Sequence, residues 1–186
     1  TLAYVGVKGG MVIVSADDPS LFSSQNEQDN RYYAKLAGLP MLEPATPQEA
    51  KEMTRAAFAL SEDLKVPVLL RTTTRVNHTR GPVTLGELAP RPGAGRFYKD
   101  PFRQVMVPAV ARQAHVRLLA AQDQARARAE TSVFNEISGR GAWGIVTSGV
   151  AGTYVADALR ELGLADKVRL LKLGFTHPLP EALLGD

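Results

Sequence analysis

Apolar and polar positions fall into blocks through the first third of the chain and predict a strand, a loop and then a helix. The run at 11–16 is apolar apart from one serine, which is typical of a strand buried on both faces of a parallel sheet. Residues 17–30 are polar and lack an apolar period. Apolar side chains return at helical spacing from Tyr32, and Gly38 is expected to end that helix.

The residues before this strand look like the tail of another helix. Positions 2–7 are mostly apolar, and Lys8-Gly9-Gly10 is expected to stop the helix, because glycine adopts a positive φ easily. A Gly-Gly turn could also cradle phosphate. Neither a G-x-G-x-x-G nor a Walker pattern follows it, so the helix stop is favoured.

The clearest local signal is the helix start Thr-Pro-Gln-Glu at 46–49. Thr46 can cap the helix, Pro47 suits its first position, and Glu49 can reach back to complete a capping box. An apolar stripe at spacings of three and four follows, and then a strand is expected at 66–72. This succession of strands and helices predicts a parallel α/β sheet.

The periodicity then disappears in a stretch rich in proline and glycine. A linker and domain boundary is expected at 81–102, because the stretch is long for a loop inside one compact domain. A helix should follow from about 102 to 130, started or kinked by Pro108. Strands expected at 143–147 and 168–173 flank another helix and form a second βαβ unit.

The polar segment after the first strand is the first candidate for a functional site. A buried strand that ends in a loop rich in carboxylates and amides is how an open α/β sheet builds a ligand site. The pattern also suits an ordinary strand–loop–helix connection, and the spacing alone favours that interpretation. Asp17, Asp18, Glu27 and Asp29 could form a general acid–base pair or hold Mg²⁺, although solvated loop acids are the expectation.

Outside this loop, few residues suggest chemistry. Of three histidines, His78 is the one expected near a ligand, since it follows a predicted strand, and no His, Asp and Glu cluster has metal-ligand spacing. Ser148 and Gly149 could hold an anion at a helix start, or could let that helix pack closely on its strand, which is favoured. The sequence contains no nucleophile-elbow pattern, so it does not support a Ser-His-Asp triad.

Composition narrows the function classes. Of 186 residues, 45% are apolar and 22% charged, which is ordinary for a soluble protein of one or two domains. The absence of cysteine excludes disulfides and iron–sulfur ligands within the chain. The net charge is only +3, and the basic residues are mixed with acidic ones instead of being clustered. No apolar run approaches the ~20 residues that a membrane span needs. A cytoplasmic protein without nucleic-acid or membrane partners is expected, and the opening without Met suggests a piece of something longer.

Several motifs together resemble one enzyme family over nearly the whole chain. They are Lys-Gly-Gly-Met-Val-Ile-Val at 8–14, Ala-Asp-Asp-Pro at 16–19, Ser-Ser-Gln-Asn-Glu-Gln-Asp-Asn-Arg-Tyr-Tyr-Ala at 23–34, Pro-Met-Leu-Glu-Pro at 40–44, Leu-Arg-Thr-Thr-Thr-Arg-Val at 70–76, Thr-Ser-Gly-Val at 147–150, and Leu-Gly with Pro-Leu-Pro between 173 and 180. These motifs resemble the α subunit of indolepyruvate:ferredoxin oxidoreductase, a branch of the 2-oxoacid:ferredoxin oxidoreductases.

The resemblance implies a fold, a reaction and partners. Residues 1–80 would be part of an α/β domain that binds the pyrimidine of thiamine diphosphate, and 103–186 the start of a transketolase-C-terminal-like α/β domain. The family decarboxylates a 2-oxo acid oxidatively to an acyl-CoA. Thiamine diphosphate with Mg²⁺ would be bound mostly by other regions, and iron–sulfur clusters elsewhere in the complex would pass the electrons to ferredoxin. The implied partners are an indolepyruvate or other arylpyruvate, coenzyme A, ferredoxin and a second subunit.

The resemblance also suggests which residues face the substrate or cofactor. They are Ser23, Ser24, Gln25, Asn26, Asp29, Arg75 and His78. The loop at 22–29 would lie over the active site, and its serine and amide side chains would bind a substrate carboxylate or carbonyl. Arg75 and His78 resemble an Arg-x-Ser-His element of pyruvate:ferredoxin oxidoreductase, with Asn77 where serine is usual. None of these residues is assigned a catalytic or metal-ligating role.

The chain departs from the family in what it lacks. The cofactor-activating glutamate, the pyrophosphate-binding domain with its Gly-Asp-Gly magnesium motif and the cysteine-rich domain are absent. Alone, the chain is therefore expected to bind thiamine diphosphate poorly and to be inactive. The alternative to a piece of the enzyme is a non-catalytic α/β scaffold or interaction domain related to that subunit.

Overall fold

The structure is a computed structural model that describes residues 1–88 and 93–185, so positions 89–92 of the predicted linker lie outside it. Helices α1–α8 span Leu2–Val5, Arg31–Ala37, Pro47–Leu64, Thr74–Asn77, Pro101–Gln104, Pro108–Glu130, Val150–Glu161 and Glu181–Gly185. Strands β1–β7 span Val12–Asp17, Met41–Leu42, Val68–Thr73, Glu136–Ser138, Trp143–Ser148, Val168–Leu173 and Phe175–His177.

The strands form two sheets, each with a parallel centre. In the four-stranded sheet, ordered β1-β3-β2-β7, the first three strands run parallel and β7 pairs antiparallel with β2. In the three-stranded sheet, ordered β4-β6-β5, β5 and β6 run parallel and β4 is antiparallel. The predicted α/β class with parallel strands is confirmed.

One hydrophobic core joins the two halves of the chain. The sheet residues Leu42, Val68 and Leu70 pack with Met53 of α3, and α6 adds residues such as Ala125 to the same cluster. The buried residues of α6 recur at spacings of three and four, and all but Leu118 are alanines, so the helix backbone can approach closely. The division of the chain at 81–102 into two domains stays a prediction, and α6, which follows it, packs on the first core.

Local signals placed several helix ends correctly. Thr46 Oγ1 accepts a hydrogen bond from Glu49 N at 3.2 Å, and Pro47 begins α3 as predicted. Glu49 Oε2 accepts from Ala45 N at 2.8 Å rather than from the Thr46 amide, so the reciprocal half of the capping box is shifted by one residue. Gly38 ends α2 with a φ of 66°, and Pro108 starts α6 rather than kinking it.

Two predictions about the N-terminal segment are wrong. Helix α1 ends at Gly6, whose φ is 71°, and not at Gly9-Gly10. Strand β1 is an edge strand with Val14 64% exposed, so it is not buried on both faces. An apolar run reports β-propensity, whereas an edge position depends on which strands pair, a property that the run does not encode.

The chain passes from one sheet to the other at Gly174. The Asn135 side chain accepts hydrogen bonds from the amides of Gly174 and Phe175 at 3.0 and 2.9 Å. A side-chain carbon on Gly174 would lie 2.7 Å from the Phe134 carbonyl oxygen, so only glycine fits there. This crossing delivers β7 to the first sheet, which the sequence did not predict. None of the helices among the described residues has the length and apolarity needed to cross a membrane.

Two leucines with opposite environments test this packing. Leu42 is 1% exposed in the core, and Leu36 is 86% exposed on α2. We expect Leu42→Ala to lower the free energy of unfolding by about 2–5 kcal/mol and Leu36→Ala to change it by less than about 0.5 kcal/mol. Urea unfolding of both variants measures the difference, and equal losses would contradict the core assignment.

Candidate functional site

A cleft of about 600 Å³ lies at the carboxyl ends of four strands that run parallel within their sheets. Each strand contributes the loop or helix that follows it. The lining residues are Phe22 and Ser23 after β1, Ala45, Thr46 and Pro47 after β2, Thr74, Arg75, His78 and Thr79 after β3, and Val150, Thr153 and Tyr154 after β5. Convergence of loops beyond strand ends is the usual position of a ligand site in open α/β sheets.

The loop after β1 is wrapped around the carboxylate of Asp18. Oδ2 accepts from the amides of Ser23 and Ser24 at 2.7 and 2.6 Å, and Oδ1 accepts from the Phe22 amide at 3.1 Å. The Thr74 hydroxyl, at the start of α4, donates to Oδ1 at 2.8 Å. Asp18 therefore ties the loop after β1 to the helix after β3.

These donors stabilise the charged form of Asp18. The Ser23 amide, with the Thr74 hydroxyl next in effect, holds the pKa of the Asp18 carboxyl well below its ordinary value near 3.8. Asp18 is therefore ionised across the physiological range. The sequence-based expectation that Asp17 and Asp18 are solvated loop acids is wrong, since both side chains are buried.

The cleft pairs an aromatic ring with a cation. The Arg75 guanidinium lies over the Phe22 ring, 4.7 Å from its centroid, while both side chains remain exposed to solvent. His78 lies one turn further along, where its amide donates to the Thr74 carbonyl at 3.1 Å. Cations and donors beside an aromatic face suit a planar ligand that carries a negative charge.

A buried ion network lies beneath the same strand ends. Arg71 of β3 donates from Nε to Asp17 Oδ2 and from Nη1 to Glu43 Oε2, both at 2.7 Å. The Asn30 amide also donates to Asp17 Oδ2 at 2.8 Å, so the network fixes the end of the loop as well. Asp17 Oδ1 and Glu43 Oε1 receive no hydrogen bond from any residue that the structure describes. One guanidinium thus holds two buried carboxylates.

The structure brings three of the seven predicted site residues into the cleft wall: Ser23, Arg75 and His78. The other four lie outside it. Ser24 turns its hydroxyl to the Asn26 carbonyl at 2.7 Å, and Gln25 is exposed beside them. Asp29 is bound by Arg31, which lowers the pKa of its carboxyl to about 2. The role of all seven toward a substrate or cofactor stays a prediction.

Sequence reasoning missed the opposite side of the cleft. Val150, Thr153 and Tyr154 come from α7, whose start follows β5 at a strand end. The sequence signal that could have pointed to Tyr154 was its location near the end of a predicted strand. It is an exposed aromatic residue one turn into the helix that follows. At the helix start, a side-chain carbon on Gly149 would lie 3.4 Å from Glu43 Oε2, so a carboxylate of the chain itself occupies that neighbourhood.

The small residues of α7 serve close packing. A side-chain carbon on Gly152 would lie 3.0 Å from Cγ of Lys172 and 3.4 Å from Cγ2 of Thr147. This agrees with the favoured interpretation of the turn at 148–152. Among residues 1–88 and 93–185, no group of three or more His, Asp and Glu side chains is arranged to hold a metal ion.

Comparison with solved structures identifies the class of fold. The chain matches a 2-oxoglutarate:ferredoxin oxidoreductase from Magnetococcus marinus, solved with 2-oxoglutarate, coenzyme A and succinyl-CoA bound, with a TM-score of 0.63. The match covers 97% of this chain and 40% of that one at 15% identity, so it establishes a shared fold. No protein-family model matches the chain.

Comparison with curated proteins is more specific. Indolepyruvate oxidoreductase subunit IorA of Methanothermobacter thermautotrophicus is 54% identical over 185 residues, covering 98% of this chain and 30% of the relative. The IorA subunits of Thermococcus kodakarensis and Archaeoglobus fulgidus are 50% and 41% identical and are covered to 29% and 30%. The chain is therefore a relative of the IorA subunit of indolepyruvate oxidoreductases, and it spans about 30% of that subunit's length. The resemblance found in the motifs is confirmed.

The pH dependence of stability tests the environment of Asp18. Because its pKa is lower in the folded chain than in the unfolded chain, the charged carboxylate stabilises the fold above its ordinary pKa, and this contribution is lost as pH falls below it. We expect the wild type to exceed Asp18→Asn in free energy of unfolding at about pH 6, and the gap to narrow toward about pH 3. A gap that stays constant across this range would contradict the assigned environment.

A second pair of variants tests the buried network. Arg71→Met leaves Asp17 and Glu43 buried without their cation, and we expect a loss of about 3–5 kcal/mol in the free energy of unfolding. Arg160→Met, which removes an exposed pair with Asp157 on α7, should cost less than about 1 kcal/mol. Denaturant titrations compare them, and a loss at position 71 no larger than at 160 would show that the network does not stabilise the fold.

Proposed function

We propose that the chain forms one wall of the substrate site in the α subunit of a 2-oxoacid:ferredoxin oxidoreductase that acts on an arylpyruvate such as indolepyruvate. The observation that supports this most is the cleft at four strand ends, where Arg75 and His78 stand beside the Phe22 and Tyr154 rings. An arylpyruvate carries a carboxylate and a flat ring, and the cleft offers a partner of each kind. The names of the curated relatives support the same reaction class.

In this proposal each cleft residue has a binding role. Arg75 binds the substrate carboxylate through a charge-assisted hydrogen bond, and His78 donates to the keto or carboxylate oxygen. Phe22 and Tyr154 cover the aryl ring and exclude water from it. Ser23, Ser24, Gln25, Asn26 and Asp29 belong to the loop that closes over the site, with Ser23 at its inner edge.

The residues present fit part of the proposed cofactor. Donors and aromatic faces suit the substrate and ring side of thiamine diphosphate, but the described residues supply no carboxylate cluster for the Mg²⁺ that accompanies its diphosphate. When bound, thiamine diphosphate supplies a nucleophilic carbon for the keto group and an electron sink for decarboxylation. In this proposal the metal and the diphosphate are held by other polypeptide. Residues 1–80 and 103–186 belong to two domains that meet at the substrate.

The partners follow from the same reaction class. A second subunit, ferredoxin and coenzyme A complete the reaction, and iron–sulfur clusters lie in other regions because this chain has no cysteine. The relatives' designation as a subunit supports an assembly of more than one chain.

A chimera tests the proposed function. The matching segment of the Methanothermobacter thermautotrophicus IorA subunit is replaced by this chain, and the assembled enzyme is assayed with indolepyruvate and an electron acceptor. We expect activity, and we expect Arg75→Ala to lower kcat/KM by about tenfold to a hundredfold, because a hydrogen bond to a charged group is lost. Arg160→Ala, on the exposed side of α7, is the matched control.

Two outcomes would count against the proposal. Equal kcat/KM values for the two arginine variants would remove Arg75 from the substrate site. A chimera that assembles but does not turn over would favour the non-catalytic scaffold instead.

Cofactor binding by the isolated chain tests whether other polypeptide is needed to hold thiamine diphosphate. With Mg²⁺ present, we expect calorimetry to detect no thiamine diphosphate binding at micromolar affinity, because the described residues lack a metal-binding cluster. The chimeric enzyme serves as the positive control. Micromolar affinity of the isolated chain would show that it holds the whole cofactor.

A further inference from the structure

We infer that Asp18 is a positioning residue that holds the Phe22–Ser24 loop against Arg75 and so fixes the shape of the cleft without touching a ligand. Four hydrogen-bond donors surround the Asp18 carboxylate. Three consecutive amides, from Phe22 to Ser24, and the Thr74 hydroxyl all point at its two oxygens. The three amides belong to the loop after β1, and the hydroxyl belongs to the start of α4 beside that loop.

The carboxylate has no capacity left for a ligand. An ionised carboxylate offers about four lone-pair sites, and Asp18 already accepts four hydrogen bonds. The side chain is also buried, with the residue 6% exposed. A general base or a metal ligand needs an accessible lone pair, so these observations distinguish a positioning role from the acid–base and Mg²⁺ roles considered for this acid.

The loop needs such a constraint because its backbone is strained. Ser20 and Leu21 adopt φ angles of 69° and 58°, and both are L-residues with a side chain in the left-handed region. Such angles persist only where surrounding bonds hold them. The Asp18 carboxylate, together with a hydrogen bond from the Leu21 amide to the Asp18 carbonyl at 3.3 Å, surrounds this pair of residues.

The hydrogen bonds of Asp18 form a tether between the loop and α4, which also fixes the contact between the Phe22 ring and the Arg75 guanidinium. Phe22 supplies one of the three amides, and Arg75 directly follows Thr74. The two ends of the Asp18 hydrogen-bond network are therefore attached to the two partners of the ring–guanidinium contact. If Asp18 releases either end, the Phe22 ring and the Arg75 guanidinium lose their fixed separation.

Asparagine is the sharpest substitution, because it keeps the shape and replaces one acceptor oxygen by an NH₂ group. Whichever oxygen is replaced, the NH₂ group points at N–H or O–H donors and cannot accept their hydrogen bonds. We expect Asp18→Asn to raise the hydrogen-exchange rates of the Ser23 and Ser24 amides by about tenfold or more in the 186-residue chain. Asp166→Asn, at an exposed acid far from the cleft in sequence, should leave these rates unchanged.

A second variant separates the two ends of the tether. Thr74→Val removes the link to α4 and leaves the three loop amides bound to Asp18. We expect it to preserve slow exchange at Ser23 and Ser24 while the Arg75 side-chain protons lose their upfield ring-current shift from Phe22. Thr74→Ser, which keeps the hydroxyl, should restore that shift. This variant keeps the inference testable if Asp18→Asn does not fold.

The consequence for ligands rests on the proposed function, but the exchange experiment does not. Unchanged amide exchange in Asp18→Asn, or an unchanged Arg75 shift in Thr74→Val, would overturn the positioning role. In the chimeric enzyme, Asp18→Asn should raise KM for indolepyruvate about tenfold or more, and Asp166→Asn should stay near the parent value. An inactive parent chimera would count against the proposed function and leave the exchange results as the test of Asp18.

Discussion

The parallel pairing of β1 with β3 is the constraint on which the rest of the structure depends. Its register sets Asp17 opposite Thr73, so the residues that follow, Asp18 and Thr74, meet at one edge of the sheet. A shift of one residue would reverse the faces on which the side chains lie and would separate the two groups. The cleft exists because this register brings two loops together that are more than fifty residues apart in the chain.

Two layers of polar interactions support that edge. The lower layer is the buried network in which Arg71 holds Asp17 and Glu43, and it anchors the ends of β1 and β2 to β3. The upper layer is the Asp18 carboxylate with its ring of donors. Arg75 and His78, which line the cleft, lie above both layers and are exposed. Carboxylates held in place below and exposed side chains above suit a preorganised binding site, although Asp17 Oδ1 and Glu43 Oε1 receive no hydrogen bond from a described residue.

The parts of the fold that could be predicted are those with local causes. Thr46, Pro47 and Gly38 act within a few residues of themselves, and the helix ends that they mark are where the sequence predicts them. Strands β4 and β7 have only three residues each, and they form because they pair with strands distant in the chain. Such short strands show no apolar periodicity from which they could be predicted. The burial of Asp18 has the same explanation, since its donor Thr74 lies 56 positions away.

The site shows the same division between local and distant causes. Ser23, Arg75 and His78 could be named because each follows a predicted strand or lies in a recognisable motif. Tyr154 was missed although it lies near a strand end, because its place in the cleft also depends on how the two sheets are joined through Gly174 and β7. The two sides of the cleft thus come from separate βαβ units, and in the proposed function they bind one ligand together.

Mapping the chemical shifts of the chain during titration with indolepyruvate tests that claim most directly. We expect the resonances of Phe22, Ser23, Arg75, His78 and Tyr154 to move together with a single dissociation constant. Shifts confined to one side of the cleft, or clustered elsewhere on the chain, would contradict it.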